Sequence, residues 1–321
     1  MNISLNIIII AAMAFAFGCS RGGDDIEKGT VATRVRNSIG FAMEEFEENG
    51  VEFGINEDNG TTTTYSLKVH YIDDNKAGES GDRGFVHEYD FKVPEDSGIK
   101  SQYVVSIWQC YADALADIAN SLSCEVESVG PDECKDLKPS GALVKSKAFQ
   151  VVPKLKVIGR KVVWEGNAAY AIALAVQACR KDWCCEERGK STISAWAKEA
   201  CRRSLSGPAT YEDGEGVAWT IGIVPVDEKV NQSDKAMSDK LAYSFAATMR
   251  GAKVSSTRTI ENKFVEDDGV RSVLKEYRET THIKPAGTID PNDDHKVKRF
   301  IFVANHPQFG RTEYRVCAIR D

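Results

Sequence analysis

The side chains best equipped for chemistry in this chain are its nine cysteines: Cys19, Cys110, Cys124, Cys134, Cys179, Cys184, Cys185, Cys201 and Cys317. A zinc centre favours cysteines in C-x₂₋₄-C pairs, because short loops can turn two sulfurs toward one ion. The closest pair is the adjacent Cys184-Cys185, which is better placed to reach two different partners. Disulfides therefore lead over free buried thiols and a metal centre. The five histidines, His70, His87, His282, His295 and His306, contain no i,i+4 pair, so no helix offers two of them to a metal. His295 follows Asp293-Asp294 in what reads as a solvated acidic turn. Gly189-Lys190-Ser191-Thr192 invites a phosphate-loop reading, but Cys184 stands where that loop needs its first glycine. Ser97-Gly98-Ile99-Lys100 and Ser272-Val273-Leu274-Lys275 match S-x-x-K without the S-D-N or K-T-G that would complete a penicillin-binding site. A basic set, Lys145, Lys147, Lys154, Lys156, Arg160 and Lys161, reads as the solvent side of a strand. No catalytic residue, metal ligand set or cofactor is assigned.

The compartment of these thiols is set by the first residues. Ile7 to Phe17 contains no polar residue, the length of a signal-peptide core and well short of the roughly 20 apolar residues a membrane-crossing helix needs. Ala16-Phe17-Gly18-Cys19 follows, with a small residue directly before the cysteine. It resembles the lipobox of bacterial lipoproteins. The resemblance implies removal of residues 1–18, a lipid on Cys19 and attachment to a membrane of the bacterial cell envelope. Ser20 fits sorting to the outer membrane, with the periplasmic or surface side left open. Residues 19–29, with Ser20, Arg21, Gly22, Gly23, Asp24 and Asp25, are small and polar and read as a flexible tether. Once Cys19 is set aside, eight cysteines remain in an oxidising compartment, and several disulfides are expected. The pairing is not readable, although Cys179, Cys184, Cys185 and Cys201 make a natural group.

The elements that must position these groups read as α+β, with helices packed on mainly antiparallel sheets and two related lobes. The net charge of −7 over 321 residues argues against nucleic acid as a partner. A helix is expected over Gly29 to Asn49, and a hairpin with a long loop from Thr61 to Ile72 and Phe85 to Val93. Ser101 to Ser121 reads as a helix with Val105, Trp108, Ala112, Leu115, Ile118 and Leu122 on one stripe. Proline, glycine and acids between Gly130 and Pro139 mark a boundary between an N-terminal domain, 30–138, and a C-terminal domain, 150–321. In the second, Leu155 to Trp164 reads as a strand and the alanine-rich Asn167 to Ala178 as a helix. Ser191 to Arg203 is a further helix, so a helical hairpin stapled through cysteines is expected. A strand over Val217 to Val226 precedes a helix capped by Ser233 and lined by Met237, Leu241, Phe245 and Met249, and Val270, Val273, Leu274 and Tyr277 suggest another. Two β-rich runs, Val297 to Ala304 and Thr312 to Ile319, close the chain as a hairpin. Runs led by Tyr111, Tyr170 and Tyr243 hint at repeated units.

The order of strand, helix with Leu241-Ala242-Tyr243-Ser244-Phe245-Ala246-Ala247, polar Ala252-Lys253-Val254-Ser255-Ser256, then Thr280-Thr281-His282-Ile283-Lys284-Pro285-Ala286-Gly287 and two closing strands is similar to the small helix-on-sheet domain of the bacterial twenty-kilodalton lipoprotein family. That resemblance covers residues 216–319 and implies a non-catalytic envelope domain with no active residues to transfer. The expected role is protein contact or scaffolding with an envelope protein as partner. The alternative is a periplasmic or surface enzyme or ligand-binding protein whose site is assembled from distant residues. If Cys19 carries the anchor, Cys19→Ala should shift the protein out of the membrane pellet on fractionation, since each buried CH₂ of an acyl chain contributes about 0.8 kcal/mol. Acyl labelling of the wild type checks it; an unlabelled protein with another amino terminus would contradict lipidation.

Overall fold

The computed structural model describes residues 46–49, 51, 53–56, 61–69, 86–88, 98–122, 125–129, 143–152, 154–165, 168–179, 187–226, 232–267, 270–287 and 289–321. In chain order the elements are β1 (Gly54–Asn56), β2 (Thr61–Val69), β3 (Val86–Glu88), α1 (Ile99–Leu122), β4 (Glu125–Val129), β5 (Leu143–Val152), β6 (Lys154–Glu165), β7 (Ala168–Cys179), β8 (Glu187–Arg188), α2 (Ile193–Arg202), β9 (Gly207–Glu212), β10 (Ala218–Val226), α3 (Gln232–Met249), β11 (Ala252–Asp267), β12 (Val270–Pro285), β13 (Val297–His306) and β14 (Gly310–Arg320). The class is α+β, as expected. Three sheets run β1-β2-β7-β6, β3-β12-β11-β5-β4 and β13-β14-β10-β9-β8. Pairing is antiparallel except where β3 joins β12 and β8 joins β9. Residues Gly40–Asp321 form one compact unit. Strands from the expected segments 30–138 and 150–321 share sheets, β2 with β7 and β3 with β12.

α1 explains this interleaving. Its buried residues include the expected Val105, Trp108, Ala112, Leu115 and Ile118, but also Val104, Ile107, Tyr111, Ala114 and Ala119. An apolar surface that wide cannot rest on one partner. α1 accordingly contacts β2 and β7 of the first sheet, β5, β11 and β12 of the second, and β9 and β10 of the third. Inside this core the Tyr111 hydroxyl donates to Met249 Sδ at 3.3 Å and the Cys110 thiol to the Ile172 carbonyl at 3.4 Å. Burial raises the Tyr111 phenol well above its ordinary range.

The third sheet is covered on both faces. Ile193, Trp196, Ala197, Ala200 and Cys201 of α2 pack with Trp219, Ile221, Ile223, Tyr314 and Val316. On the other face Leu241, Ala242 and Phe245 of α3 pack with Val224, Val226, Cys317 and Ile319. α2 starts from Thr192 at its N-cap, where the Thr192 hydroxyl accepts from Ala195 N at 3.4 Å. α3 buries Leu241, Phe245 and Met249 as expected, while Ser233 is its second residue rather than its cap.

Several expectations are corrected. The alanine-rich run expected as a helix is strand β7. Its large residues Ile172, Leu174 and Val176 turn to α1, and Ala173 and Ala175 turn to Phe46 and Val51. The alanines are there for space: a Cβ on neighbouring Gly159 would lie 2.7 Å from the Phe46 ring. Burial on both faces thus overrides helix propensity, and the stapled helical hairpin is lost with it. The segment around Val270 to Tyr277 is likewise strand, in continuous register with β11 over sixteen pairs. β2 and β3 belong to different sheets and form no hairpin. Gly207 to Glu212 is a further strand, β9. The three tyrosine-led runs fall in a helix, a strand and a helix, and so are not repeated units. The helix expected over Gly29 to Asn49 lies outside the described residues apart from helical Phe46 to Glu48.

Gly222 shows how closely α3 sits on β10, because a Cβ there would lie 2.0 Å from the Ala242 carbonyl oxygen and 2.8 Å from Phe245 Cβ. Gly222→Ala is expected to cost about 3 kcal/mol or more as overpacking against backbone. Gly287→Ala, with nothing within 4 Å, should stay within about 0.5 kcal/mol. Chemical denaturation of both checks this, and equal stabilities would contradict the packing.

Candidate functional site

Among the described residues, six strands end the three sheets: β1, β6, β3, β4, β8 and β13. A terminal strand offers unpaired backbone groups to any strand that fits, so proteins shorten such edges, charge them or bend them with bulges. β1 and β3 have 3 residues, β4 has 5 and β8 has 2. β6 is long, but it carries Lys154, Lys156, Arg160 and Lys161 and breaks register between Val157 and Gly159 and between Val163 and Trp164. β13 uses neither bulges nor shortness. It runs 10 residues, in unbroken register with β14 from Val297 to His306, and its centre, Phe300-Ile301-Phe302-Val303-Ala304, is uncharged.

Side chains alternate along β13. Phe300, Phe302 and Ala304 face the α2 core, with the two phenyl rings stacked at 5.8 Å and 20°. Ile301 and Val303 point to the opposite face and are 58% and 52% exposed. Their neighbours on β14 explain it: Ile301 stands opposite Arg315 and Val303 opposite Glu313. Arg315 and Glu313 form an ion pair at 2.6 Å, with Asp239 of α3 at 3.8 Å from the guanidinium. The β14 positions beside the two apolar side chains are therefore occupied by charges satisfied among themselves.

The end of β13 is tied to the rest of the unit by rings. His306 is 5% exposed and stacks on Phe309 at 4.4 Å, with Tyr103 of α1 and Trp164 of β6 5.6 Å from Phe309 and from His306 respectively. Its Nδ1 accepts from Gln308 N at 3.1 Å and Phe309 N at 3.4 Å, which closes the turn. Burial, with Lys100 adding repulsion, lowers the imidazole to about 4. The neutral ring is the one that holds this turn.

Of the cysteines, Cys110 lies in α1, Cys201 in α2 and Cys317 in β14, each a buried thiol; Cys179 ends β7. Cys19, Cys124, Cys134, Cys184 and Cys185 lie outside the described residues. Cys201 and Cys317 sit on opposite faces of the third sheet, and burial pushes each thiol up to about 12, which makes a reactive thiolate unfavourable. Gly189-Lys190-Ser191-Thr192 leads from β8 into α2. There the Tyr211 hydroxyl donates to the Ser191 carbonyl at 2.9 Å, and a Cβ on Gly189 would meet that hydroxyl at 2.6 Å. Capping and packing account for this tetrapeptide. In the acidic turn, Asp290 accepts from Asn292 N at 2.9 Å and Asp293 from His295 N at 3.0 Å, so these carboxylates cap backbone. The basic set divides between β5 in the second sheet and β6 in the first.

A cavity of about 180 Å³ lies between Tyr103, Ile107, Arg160, Leu174, Ser204 and Ser206. Arg160 lines it and donates to the Ser206 carbonyl at 3.2 Å and to the Pro208 carbonyl. It thereby fastens β6 to a loop whose Ser204 and Gly207 have φ of 60° and 90°. At Gly207 the positive φ and the Ile107 methyl, 2.6 Å from where a Cβ would lie, both require glycine. This is a clamp between two sheets.

No family model, curated protein or solved structure matches the chain. The open edge of β13 is the feature that sequence reasoning missed: the strand was expected, but not its terminal place or its exposed branched residues.

The His306 environment sets a pH dependence. Its folded value, about 4, lies below the ordinary 6.5, so between these values the unfolded chain binds a proton that the folded chain does not, and stability falls as pH drops from about 6.5 to about 4. His306→Asn keeps an acceptor for the turn amides without a group that titrates there. Its melting temperature should fall less steeply over that window than the wild type's, and parallel slopes would contradict the assignment.

Proposed function

We propose that this chain is an exported envelope lipoprotein, anchored through Cys19, that acts by protein contact rather than by catalysis, with the edge of β13 as its contact surface. One observation carries the reading: a strand that is terminal among the described residues and uncharged over its five central positions, holding Ile301 and Val303 in solvent. Burying such side chains yields about 25 cal/mol per Å² of apolar surface removed from water, and pairing the edge satisfies its outward backbone groups. Contact by strand addition needs no reacting group, only a strand of matching pattern. Anchoring supports the same reading, because a tether to one membrane raises the effective concentration of anything held there with it.

The doubly substituted Ile301→Lys/Val303→Lys protein tests this. Both positions are exposed, so its thermal stability should match the wild type. In gently solubilised membranes the wild type is expected to run as a species heavier than one chain and the variant as a single chain. A wild type that is already a single chain, or a variant that keeps the heavier species, would overturn the proposal.

A further inference from the structure

Resting on the reading of this edge as a contact surface, we infer that its occupant is a second copy of the same chain, with β13 pairing antiparallel to its own counterpart about Phe302. The pattern of the strand is its own complement. Lys298-Arg299 precede five apolar residues, and Asn305-His306 follow them. In an antiparallel pair, residues directly opposite share a face. Centring the pair on Phe302 sets Ile301 opposite Val303 of the second copy, and Val303 opposite its Ile301. The four side chains that are solvent-exposed in one chain alone then cover one another. On the other face Phe300 meets Ala304 of the second copy, extending the row of rings that α2 already covers. Centring on Ile301 instead would set Arg299 against Val303 and lose that match.

Charge decides the direction. β13 holds cations at one end only, Lys298 and Arg299. Antiparallel pairing about Phe302 sets Arg299 opposite Asn305, so the two Arg299 residues stand six positions apart along the ladder, about 20 Å at 3.4 Å per residue. That exceeds the Debye length of about 8 Å at physiological ionic strength, and their repulsion is screened. Parallel pairing in register would stack like charges at about 4.8 Å, which is destabilising. Pro307 directly follows the strand and, lacking an N–H, stops the new ladder at its natural end. Two third sheets of five strands thus become one continuous sheet with both of these edges closed.

Cysteine cross-linking of the full-length chain in its own membranes is the test. Ile301→Cys and Val303→Cys proteins are made separately and together, oxidised, and the links located by peptide mass spectrometry. The mixed pair should give at least about fivefold more 301-to-303 link than either variant alone gives of its own link, because cysteines with Cα atoms more than about 7 Å apart do not bridge. Melting temperatures near the wild type's establish that both variants fold. A heavier species that is lost on Ile301→Lys/Val303→Lys but contains a different protein and no such link would overturn self-pairing while leaving the contact surface standing. A wild type that is a single chain throughout would overturn both.

Discussion

A helix that is apolar on nearly every side has to be walled in on nearly every side, and α1 imposes that requirement on the whole unit. With Val104, Ile107, Tyr111, Leu115 and Ile118 all buried, it draws on strands from all three sheets for cover. Those strands come from both ends of the sequence, which is why β2 pairs with β7 and β5 with β11. The buried polar atoms follow the same logic. Tyr111 and Cys110 spend their hydrogens on Met249 and Ile172, since an unmade bond at such depth costs about 1–3 kcal/mol.

Covering α1 leaves the third sheet with two jobs. Its inner face, through α3, completes the wall around the central helix, and its outer face carries α2 as a second small core. The sheet therefore extends away from α1 and ends in β13, whose attachment back to the centre is the ring cluster of Tyr103, Trp164, His306 and Phe309. The hairpin turn is held firmly while the strand beside it faces outward. Rigidity in the turn and openness along the edge suit pairing, because a strand already held extended loses little conformational freedom when a partner docks.

Much of this was legible where one face of an element is apolar and the other is wet. α2 repeats its buried residues at helical spacing against a polar remainder, and Ile193, Trp196, Ala197, Ala200 and Cys201 were all identifiable. β7 was not, because both of its faces are covered and alanine is chosen for the room it leaves beside Phe46. Two local signals favour strands there. Register leaves only Gly166-Asn167 between β6 and β7, and only Asp268-Gly269 between β11 and β12, dipeptides suited to tight hairpins. The contact edge was legible only as a strand. That Ile301 and Val303 stay in solvent depends on Arg315 and Glu313 standing opposite and on β13 lying last in its sheet, and strand order is a property of the assembled fold that no local pattern announces.

Hydrogen exchange read along β13 as a function of protein concentration reaches the central claim most directly. Backbone amides of β13 that point toward β14 are bonded within the chain, whereas those that point outward gain a partner only when the edge is paired. For the full-length protein in detergent, protection of the outward amides is expected to rise with concentration along a single binding curve while protection across β10 and β14 stays constant. Outward amides that exchange at the same rate at every concentration would contradict pairing of this edge with a second copy.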